Sequence, residues 1–256
     1  MEFHISKRMI ESGGSQTVDR ALAVLRIVAT DARPIALEDV AARSGLHKSI
    51  AYRLLRSFEN AGFIGRIPGV GGYTVAAPLL SLSVLAVARM DMRLHARSMM
   101  EDIVARYGEN ASLHLRSGNL RVCVDVVDGT HAVRRAVPVG ITLPVFAGET
   151  GRALLCELPD DELESVLADA KEAGMNADRI RADIMRTRKQ GFFVGIGLQT
   201  PDEGSISIPI YGTGEILGAV TVSGPADRWN RTAMRAAAPV ILSSVRTVSA
   251  ILGGSA

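Results

Sequence analysis

Gly45-Leu46-His47-Lys48-Ser49-Ile50-Ala51-Tyr52-Arg53-Leu54-Leu55-Arg56-Ser57-Phe58 carries two chemistries on one helix. At about 100° per residue, Lys48, Ser49, Tyr52, Arg53 and Arg56 fall within an arc of ~140°. Ile50, Ala51, Leu54, Leu55 and Phe58 form a second arc centred ~200° away. The second arc can pack into a small core. The first turns two arginines, a lysine, a hydroxyl and a phenol outward, side chains suited to phosphates and to base edges in a DNA major groove. An ordinary amphipathic surface helix has the same split, so the flanking sequence decides between the two.

Upstream, Leu37, Val40 and Ala41 mark the apolar side of a short helix, with Glu38 and Asp39 in its first turn where they complement the helix dipole. Gly45 follows its last turn and can take the left-handed conformation that ends a helix. A helix, a tight turn and a second helix make the helix-turn-helix pattern, which places the second helix for groove insertion. Before this pair, Thr17 to Thr30 predicts another helix, with Thr17 as its cap and Val18, Leu22, Leu25 and Val28 along its inner side. After it, Asn60-Ala61-Gly62-Phe63 closes the helix. Ile64–Ile67 and Tyr73–Val75 read as two short strands around the loop Pro68–Gly72. The ordered set is a winged helix-turn-helix, with Arg66 on the wing as a further phosphate contact. Winged helices also serve as protein–protein modules; the cationic outer face here favours nucleic acid.

The chain has 256 residues, enough for one large domain or two ordinary ones, and 47% of them are hydrophobic. Net charge is only +2. Residues 1–77 hold ten Lys/Arg against seven Asp/Glu, and the remainder nineteen against twenty, so the positive excess lies with the helix-turn-helix. So small an excess predicts modest, salt-sensitive non-specific DNA affinity. Cys123 and Cys156 are too few for a disulfide scaffold and read as buried thiols of a cytosolic protein. No signal sequence is recognised at the start, and the apolar run Leu79–Ala88 is too short to span a bilayer. A soluble, cytoplasmic protein with no membrane partner is expected. Residues 1–14, ending in Ser12-Gly13-Gly14, read as a mobile tail.

Pro78 marks a boundary, and residues 79–90 read as a linking helix. Residues 92–107 read as another, with Leu94, Met99, Ile103 and Val104 inward. The period then changes. Residues 111–116, 120–127 and 133–139 predict strands, with turns at Gly118-Asn119 and Asp128-Gly129. Helices return at 149–158, 160–172 and 177–190. Strands Ser205–Tyr211 and Ile216–Val222 follow, joined by Gly212-Thr213-Gly214, and a last helix runs from Arg231 to Leu252. This order predicts an α+β fold, an antiparallel sheet packed against helices.

No catalytic or metal-binding constellation emerges. His4, His47, His95, His114 and His131 lack ligand spacing, and there is no paired CxxC. Gly148-Glu149-Thr150-Gly151-Arg152 lacks the lysine and spacing of a phosphate-binding loop, and Gly195-Ile196-Gly197 is too short for a dinucleotide fingerprint. Asp160, Asp161 and Glu162 are simpler as dipole partners at a helix start. No cofactor is implied. Phe146 to Leu155 is a loop entering a helix, where free N–H groups favour an anion such as a carboxylate; Thr221 and Ser223 offer hydroxyls from a strand. Alternatively Gly148 and Gly151 merely let that helix pack closely. The residues alone leave both readings open.

The chain resembles the IclR (isocitrate lyase regulator) family of bacterial transcription factors over nearly all of residues 15–250. Thr17-Val18-Asp19-Arg20-Ala21-Leu22-Ala23-Val24-Leu25 resembles the family's opening helix, and Leu46-His47-Lys48-Ser49 through Tyr52-Arg53-Leu54-Leu55 its recognition helix. Tyr73-Thr74-Val75 resembles the end of its wing. Gly151-Arg152-Ala153-Leu154-Leu155 is similar to its Gly-Lys-Ala-Leu-Leu run, with arginine for lysine. Ile206–Ile210 and Val220-Thr221-Val222-Ser223-Gly224-Pro225 match its late strands. The resemblance implies a winged helix-turn-helix over 15–77, a linker helix over 78–91 and a GAF-like effector domain over 92–254. It also implies homodimers or homotetramers on palindromic double-stranded operators, with a small-molecule effector. The family's effector positions carry over to Glu149, Thr150, Gly195, Ser205, Thr221 and Ser223. Glu149 stands where small residues are usual, and its charge would repel an acidic ligand or bind a polar one. Gly195 stands where some relatives carry an acid, and Gln199–Gly204 lacks the usual glycine register.

The expected function is a ligand-responsive DNA-binding regulator, repressor or activator, of a catabolic operon, answering to a small organic acid. Lys48, Ser49, Tyr52 and Arg53 are expected nearest the bases, and Arg56 and Arg66 at phosphates. The alternatives are a constitutive DNA-binding regulator with a non-functional pocket, or a DNA-tethered enzyme.

Overall fold

A computed structural model describes residues 15–67, 69, 71–88, 91–134 and 137–254. The chain divides into two units, Met1–Arg89 and Met90–Ala256. The expected tail over residues 1–14 lies outside the described residues.

In the first unit, α1 (Gln16–Thr30), α2 (Leu37–Ser44) and α3 (Lys48–Asn60) enclose a core of Val24, Ile27, Val28, Val40, Ala51 and Leu55. Gly45 ends α2 at φ +66°, the left-handed conformation its position requires, and its N–H bonds back to the helix. His47 caps α3, its Nδ1 accepting the Ser49 N–H at 3.4 Å. The wing strands β1 (Ile64–Gly65) and β2 (Thr74–Val75) are shorter than expected. Tyr73 instead exchanges both backbone hydrogen bonds with Ile35, at 2.9 and 2.8 Å, tying the wing to the entry of α2. Helix α4 (Ala77–Ala88) follows.

Three expectations for this unit fail. Ser15, not Thr17, stands at the start of α1, and no side chain caps it. Val18 and Leu22 do not face the core; they are 53% and 52% exposed. The stripe through Val24, Ile27 and Val28 is the one that meets α2 and α3, and Val18 and Leu22 are not part of that core among the described residues.

The second unit is a six-stranded antiparallel sheet in the order β5-β4-β3-β8-β7-β6. The strands are β3 (Asn110–Ser117), β4 (Leu120–Val127), β5 (Thr142–Pro144), β6 (Phe193–Ile196), β7 (Glu203–Tyr211) and β8 (Ile216–Pro225). Its helices are α5 (Asp91–Tyr107), α6 (Gly148–Leu154), α7 (Asp160–Glu172), α8 (Ala177–Gln190) and α9 (Arg231–Ile251). The period-2 alternation of the strands sorts side chains onto two faces. Ala111, Leu113, Ile206, Ile208, Ile210, Val220 and Val222 pack under α5 and α9 with Trp229 and Met234. Their alternates, Ser112, His114, Ser205, Ser207, Thr221 and Ser223, are buried on the opposite face. A second apolar cluster, built from Leu155, Leu163, Ile180 and Ile184, joins α6, α7 and α8.

The expected strand at 133–139 is not found. Its described residues, 133–134 and 137–139, are loop and turn. Val133 and Val139 are 71% and 62% exposed, and Pro138 cannot donate to a ladder. The edge strand is Thr142–Pro144, paired with Leu120–Val122. Strand β6 was not anticipated; four residues flanked by glycines give little alternation to read. Leu94 is 67% exposed, and Met92, Ala96, Met99, Met100, Ile103 and Val104 form the inner side of α5. Among the described residues no helix is long and apolar enough to cross a membrane.

Candidate functional site

Helix α3 separates its two chemistries as its spacing dictates. Ala51 and Leu55 are fully buried, whereas Lys48, Ser49, Tyr52, Arg53 and Arg56 are exposed. Several outward groups already have partners. Lys48 Nζ lies 2.5 Å from Glu38 Oε1 of α2, and Arg56 Nη1 donates to the Tyr52 hydroxyl at 3.4 Å. The Ser49 hydroxyl lies 2.8 Å from His47 Nδ1. The Arg53 guanidinium has no hydrogen bond or ion pair among the described residues, so no intramolecular contact must break before it meets a ligand. Arg66 stacks over the Tyr73 ring at 4.4 Å, donates to the Tyr73 hydroxyl and lies 3.4 Å from Glu59 Oε1. That anchors the wing arginine on the same side of the unit as the C-terminal part of α3.

The second unit holds a cavity between α6 and the polar face of the sheet. Five of the six expected effector residues, Glu149, Thr150, Ser205, Thr221 and Ser223, line it. Gly195 is not in the lining but touches it indirectly: a methyl there would sit 2.6 Å from Glu149 Cγ, so the glycine leaves the room that Glu149 fills. Strand register brings the hydroxyls together, Ser205 opposite Ser223 and Ser207 opposite Thr221. The Thr221 hydroxyl bridges Thr150 Oγ1 at 2.8 Å and Ser207 Oγ at 2.9 Å.

Sequence reasoning missed the charged part of the wall. Ser112, His114, Arg121, Gln199 and Glu203 also line the cavity. The available signal was parity: Arg121 alternates with Val122 in a strand whose other face is apolar, so it shares the Cys123 face. Arg121 Nη1 lies 3.2 Å from His114 Nδ1. An arginine only donates, so His114 Nδ1 accepts, and its Nε2–H donates to Ser112 Oγ at 3.0 Å. Burial, with the Arg121 charge second, pushes the His114 pKa down to about 3, so the imidazole is neutral. Arg121 Nη2 donates to Gln199 Oε1 at 2.5 Å. Glu149 Oε1 accepts the Leu198 N–H at 3.2 Å, and burial raises the pKa of its carboxyl. The cavity has about 430 Å³ of atom-free space including its open mouth, of which a water-sized body reaches about 40 Å³.

Gly148 and Gly151, both within α6, do pack closely. A methyl on Gly151 would lie 1.9 Å from the Val145 oxygen, and Gly148 has φ +69°. Arg152, where the family run carries lysine, is buried and structural. It donates to the Phe146 and Gly148 oxygens at 2.5 and 3.1 Å and lies 3.8 Å from Asp183. Cys123 and Cys156 are buried free thiols whose pKa burial pushes up to about 11, so neither is poised to react. Among the described residues no cluster of three His, Cys, Asp or Glu is placed to hold a metal ion.

Residues 17–68 match the IclR helix-turn-helix domain model, and residues 84–250 match that of the bacterial transcriptional regulator IclR C-terminal domain. The chain belongs to the IclR family. It is an IclR-type DNA-binding transcriptional regulator, and the families and relatives it matches are regulators rather than enzymes. The HTH-type transcriptional repressor AllR of Escherichia coli (strain K12) is 22% identical over 247 residues, covering 94% of this chain and 91% of AllR. A solved ICLR transcriptional regulator from Silicibacter sp. has a TM-score of 0.80 at 24% identity, covering 93% of this chain and 97% of that one. An IclR homolog from Microbacterium hydrocarbonoxydans, complexed with 4-hydroxybenzoate, has a TM-score of 0.74 at 19% identity, covering 92% and 99%.

Proposed function

We propose that this IclR regulator is a cytoplasmic protein that reads a palindromic operator as a homodimer or homotetramer, and that a small organic acid from a catabolic route governs that binding. Helix α3 enters the major groove with Lys48, Ser49, Tyr52 and Arg53 at the base edges, and Arg56 and Arg66 hold phosphates. The exposure of Tyr52 and Arg53 opposite the fully buried Ala51 and Leu55 carries this reading. One such helix makes too few contacts for a selective complex, which favours two-fold pairing. The exposed apolar residues Val18 and Leu22 of α1 and Leu80 and Leu82 of α4 suit contact with a second copy.

The effector seat is the cavity at Glu149, Thr150, Ser205, Thr221 and Ser223, bordered by Gly195. The 4-hydroxybenzoate complex of the Microbacterium homolog supports an organic acid as ligand. Regulation then requires that the acid bind the DNA-competent and incompetent states with different affinity. The small water-accessible space favours a second reading, a constitutive regulator whose pocket is closed.

Two measurements decide. In fluorescence anisotropy at fixed salt, Arg53→Ala is expected to cost roughly 1–3 kcal/mol on the operator and much less on random DNA; equal losses count against base readout. Thr221→Val with Ser223→Ala is expected to abolish melting shifts caused by organic acids. Unchanged shifts place the ligand elsewhere, and no shift in the wild-type protein favours the constitutive reading.

A further inference from the structure

The second unit holds another, larger cavity, between the end of α8, helix α9 and the hairpin turn that joins β7 to β8. A water-sized body reaches about 510 Å³ of it, against about 40 Å³ of the first cavity. Sites for small metabolites span roughly 300–1,000 Å³. No residue lines both cavities.

Its walls are fixed by backbone contacts. Gly191 ends α8 at φ +80°, with its N–H bonded to the Thr187 oxygen. The Tyr211 N–H donates to Ser249 Oγ at 3.0 Å, which ties the hairpin to α9. The Gly212 N–H closes the turn on the Glu215 oxygen at 2.9 Å.

The cations in the wall differ in what they already hold. Arg188 is structural: it donates to the Cys156 and Leu158 oxygens and lies 3.9 Å from Glu157. Lys189 and Arg246 make no hydrogen bond or ion pair among the described residues. A lysine in the last turn of α8 suits the helix dipole. Arg246 has no such reason, because it lies inside α9 with no acid three or four positions away. Its Nη2 would lie 4.0 Å from a methyl placed on Gly191, so the guanidinium borders the end of α8, close to Lys189. Two unpaired cations on separate helices suit a divalent anion. A phosphate monoester has oxygens for both the arginine fork and the point charge of the lysine, whereas a monocarboxylate brings one charge for two.

The rest of the wall suits hydroxyls. Among the described residues the Tyr211 hydroxyl has only the Cys156 sulfur, 3.9 Å away, a weak partner. Burial raises the pKa of that hydroxyl against the opposing Arg246 charge, so it remains a donor. The Glu215 carboxylate makes no hydrogen bond or ion pair among the described residues, and carboxylates accept hydrogen bonds from sugar hydroxyls.

We propose that this cavity is a second ligand site, which takes the phosphate monoester of a hydroxyl-bearing body, such as a sugar phosphate or a ribonucleoside monophosphate. Arg246 and Lys189 hold the phosphate, and Tyr211 and Glu215 meet the hydroxyls. With no wall residue in common, the site is independent of the effector seat.

The test uses the full chain at fixed salt, with ribose 5-phosphate against ribose, adenosine 5′-monophosphate against adenosine, and inorganic phosphate alone. Titration calorimetry is read for wild type, Arg246→Ala, Arg246→Lys, Lys189→Ala and Glu215→Gln, with Trp229 fluorescence reporting that each is folded and sedimentation reporting its assembly. At least one ester is expected to bind roughly 10- to 100-fold more tightly than its unphosphorylated partner and than inorganic phosphate. Arg246→Ala is expected to weaken that ester about tenfold or more, Arg246→Lys and Lys189→Ala less, and Glu215→Gln to narrow its advantage over inorganic phosphate. Thr221→Val with Ser223→Ala is expected to leave its binding unchanged. Equal binding of an ester and its partner, inorganic phosphate binding as tightly as the esters, or an ester indifferent to Arg246→Ala overturns the proposal. So does loss of ester binding in the Thr221→Val, Ser223→Ala protein, which would put the ester in the effector seat. No binding of any probe also overturns it, and a change of assembly in Arg246→Ala in that case marks this face as a contact between copies of the chain.

Discussion

Acidification should loosen the effector unit through one residue. His114 is 3% exposed, sits between Ser112 and Arg121, and has its pKa pushed from 6.5 to about 3. Between those values the unfolded chain takes up a proton that the folded chain refuses. The contribution is therefore complete above about pH 6.5 and is lost as pH falls toward 3, with a slope of ~1.4 kcal/mol per pH unit. From pH 7 to pH 5 the loss is about 2 kcal/mol, on the order of a fifth to a third of a domain's stability. The chain's single tryptophan, Trp229, is buried against Tyr107 in the core of this unit and donates to the Val222 oxygen at 3.1 Å. Its fluorescence in urea titrations at pH 7 and pH 5 reports the unit directly. His114→Gln keeps an acceptor for Arg121 but cannot titrate. Subtracting its pH dependence from that of wild type cancels the carboxylates, including Glu149, whose raised pKa acts in the opposite direction. An acid loss equal in both proteins would refute the reasoning.

Gly151→Ala is expected to destabilise the same unit by roughly 3 kcal/mol or more, because its methyl would lie 1.9 Å from the Val145 oxygen. A Trp229 unfolding midpoint within error of wild type would contradict the close approach. Arg56→Ala is expected to lower operator and random-DNA affinity together and to reduce the slope of log affinity against log salt by about 1, as loss of one phosphate contact requires. A selective loss on the operator would instead place Arg56 at a base.

Much of the first unit is legible from residues alone. The i, i+3, i+4 spacing of Ala51, Leu54, Leu55 and Phe58 orients α3 against a small core, and Gly45 stops α2 where a left-handed residue is needed. The same reasoning misplaced Val18, Leu22 and Leu94. A helix shows an apolar residue without showing whether a neighbouring helix reaches it. The strand at 133–139 failed because its valines were read without weighing Pro138 and the turn at Gly140. In the effector unit, alternation in Ser205-Ile206-Ser207-Ile208 and Val220-Thr221-Val222-Ser223 already implied one apolar and one hydroxyl-bearing face. Arg121 and Gln199, 78 positions apart, show nothing of their contact in the sequence.

Local periodicity and turn chemistry were enough to set the three-helix head, its cationic outer flank and the antiparallel character of the second unit, because those depend on residues a few positions apart. What converges on Glu149 depended on the fold. Strand register put Thr221 between Thr150 and Ser207, and sheet order brought β4 and the loop before β7 to the same wall. Burial then left His114 neutral and raised the pKa of the Glu149 carboxyl. Desolvation acts through everything packed around a group, and that is a property of the assembled chain rather than of any stretch of it.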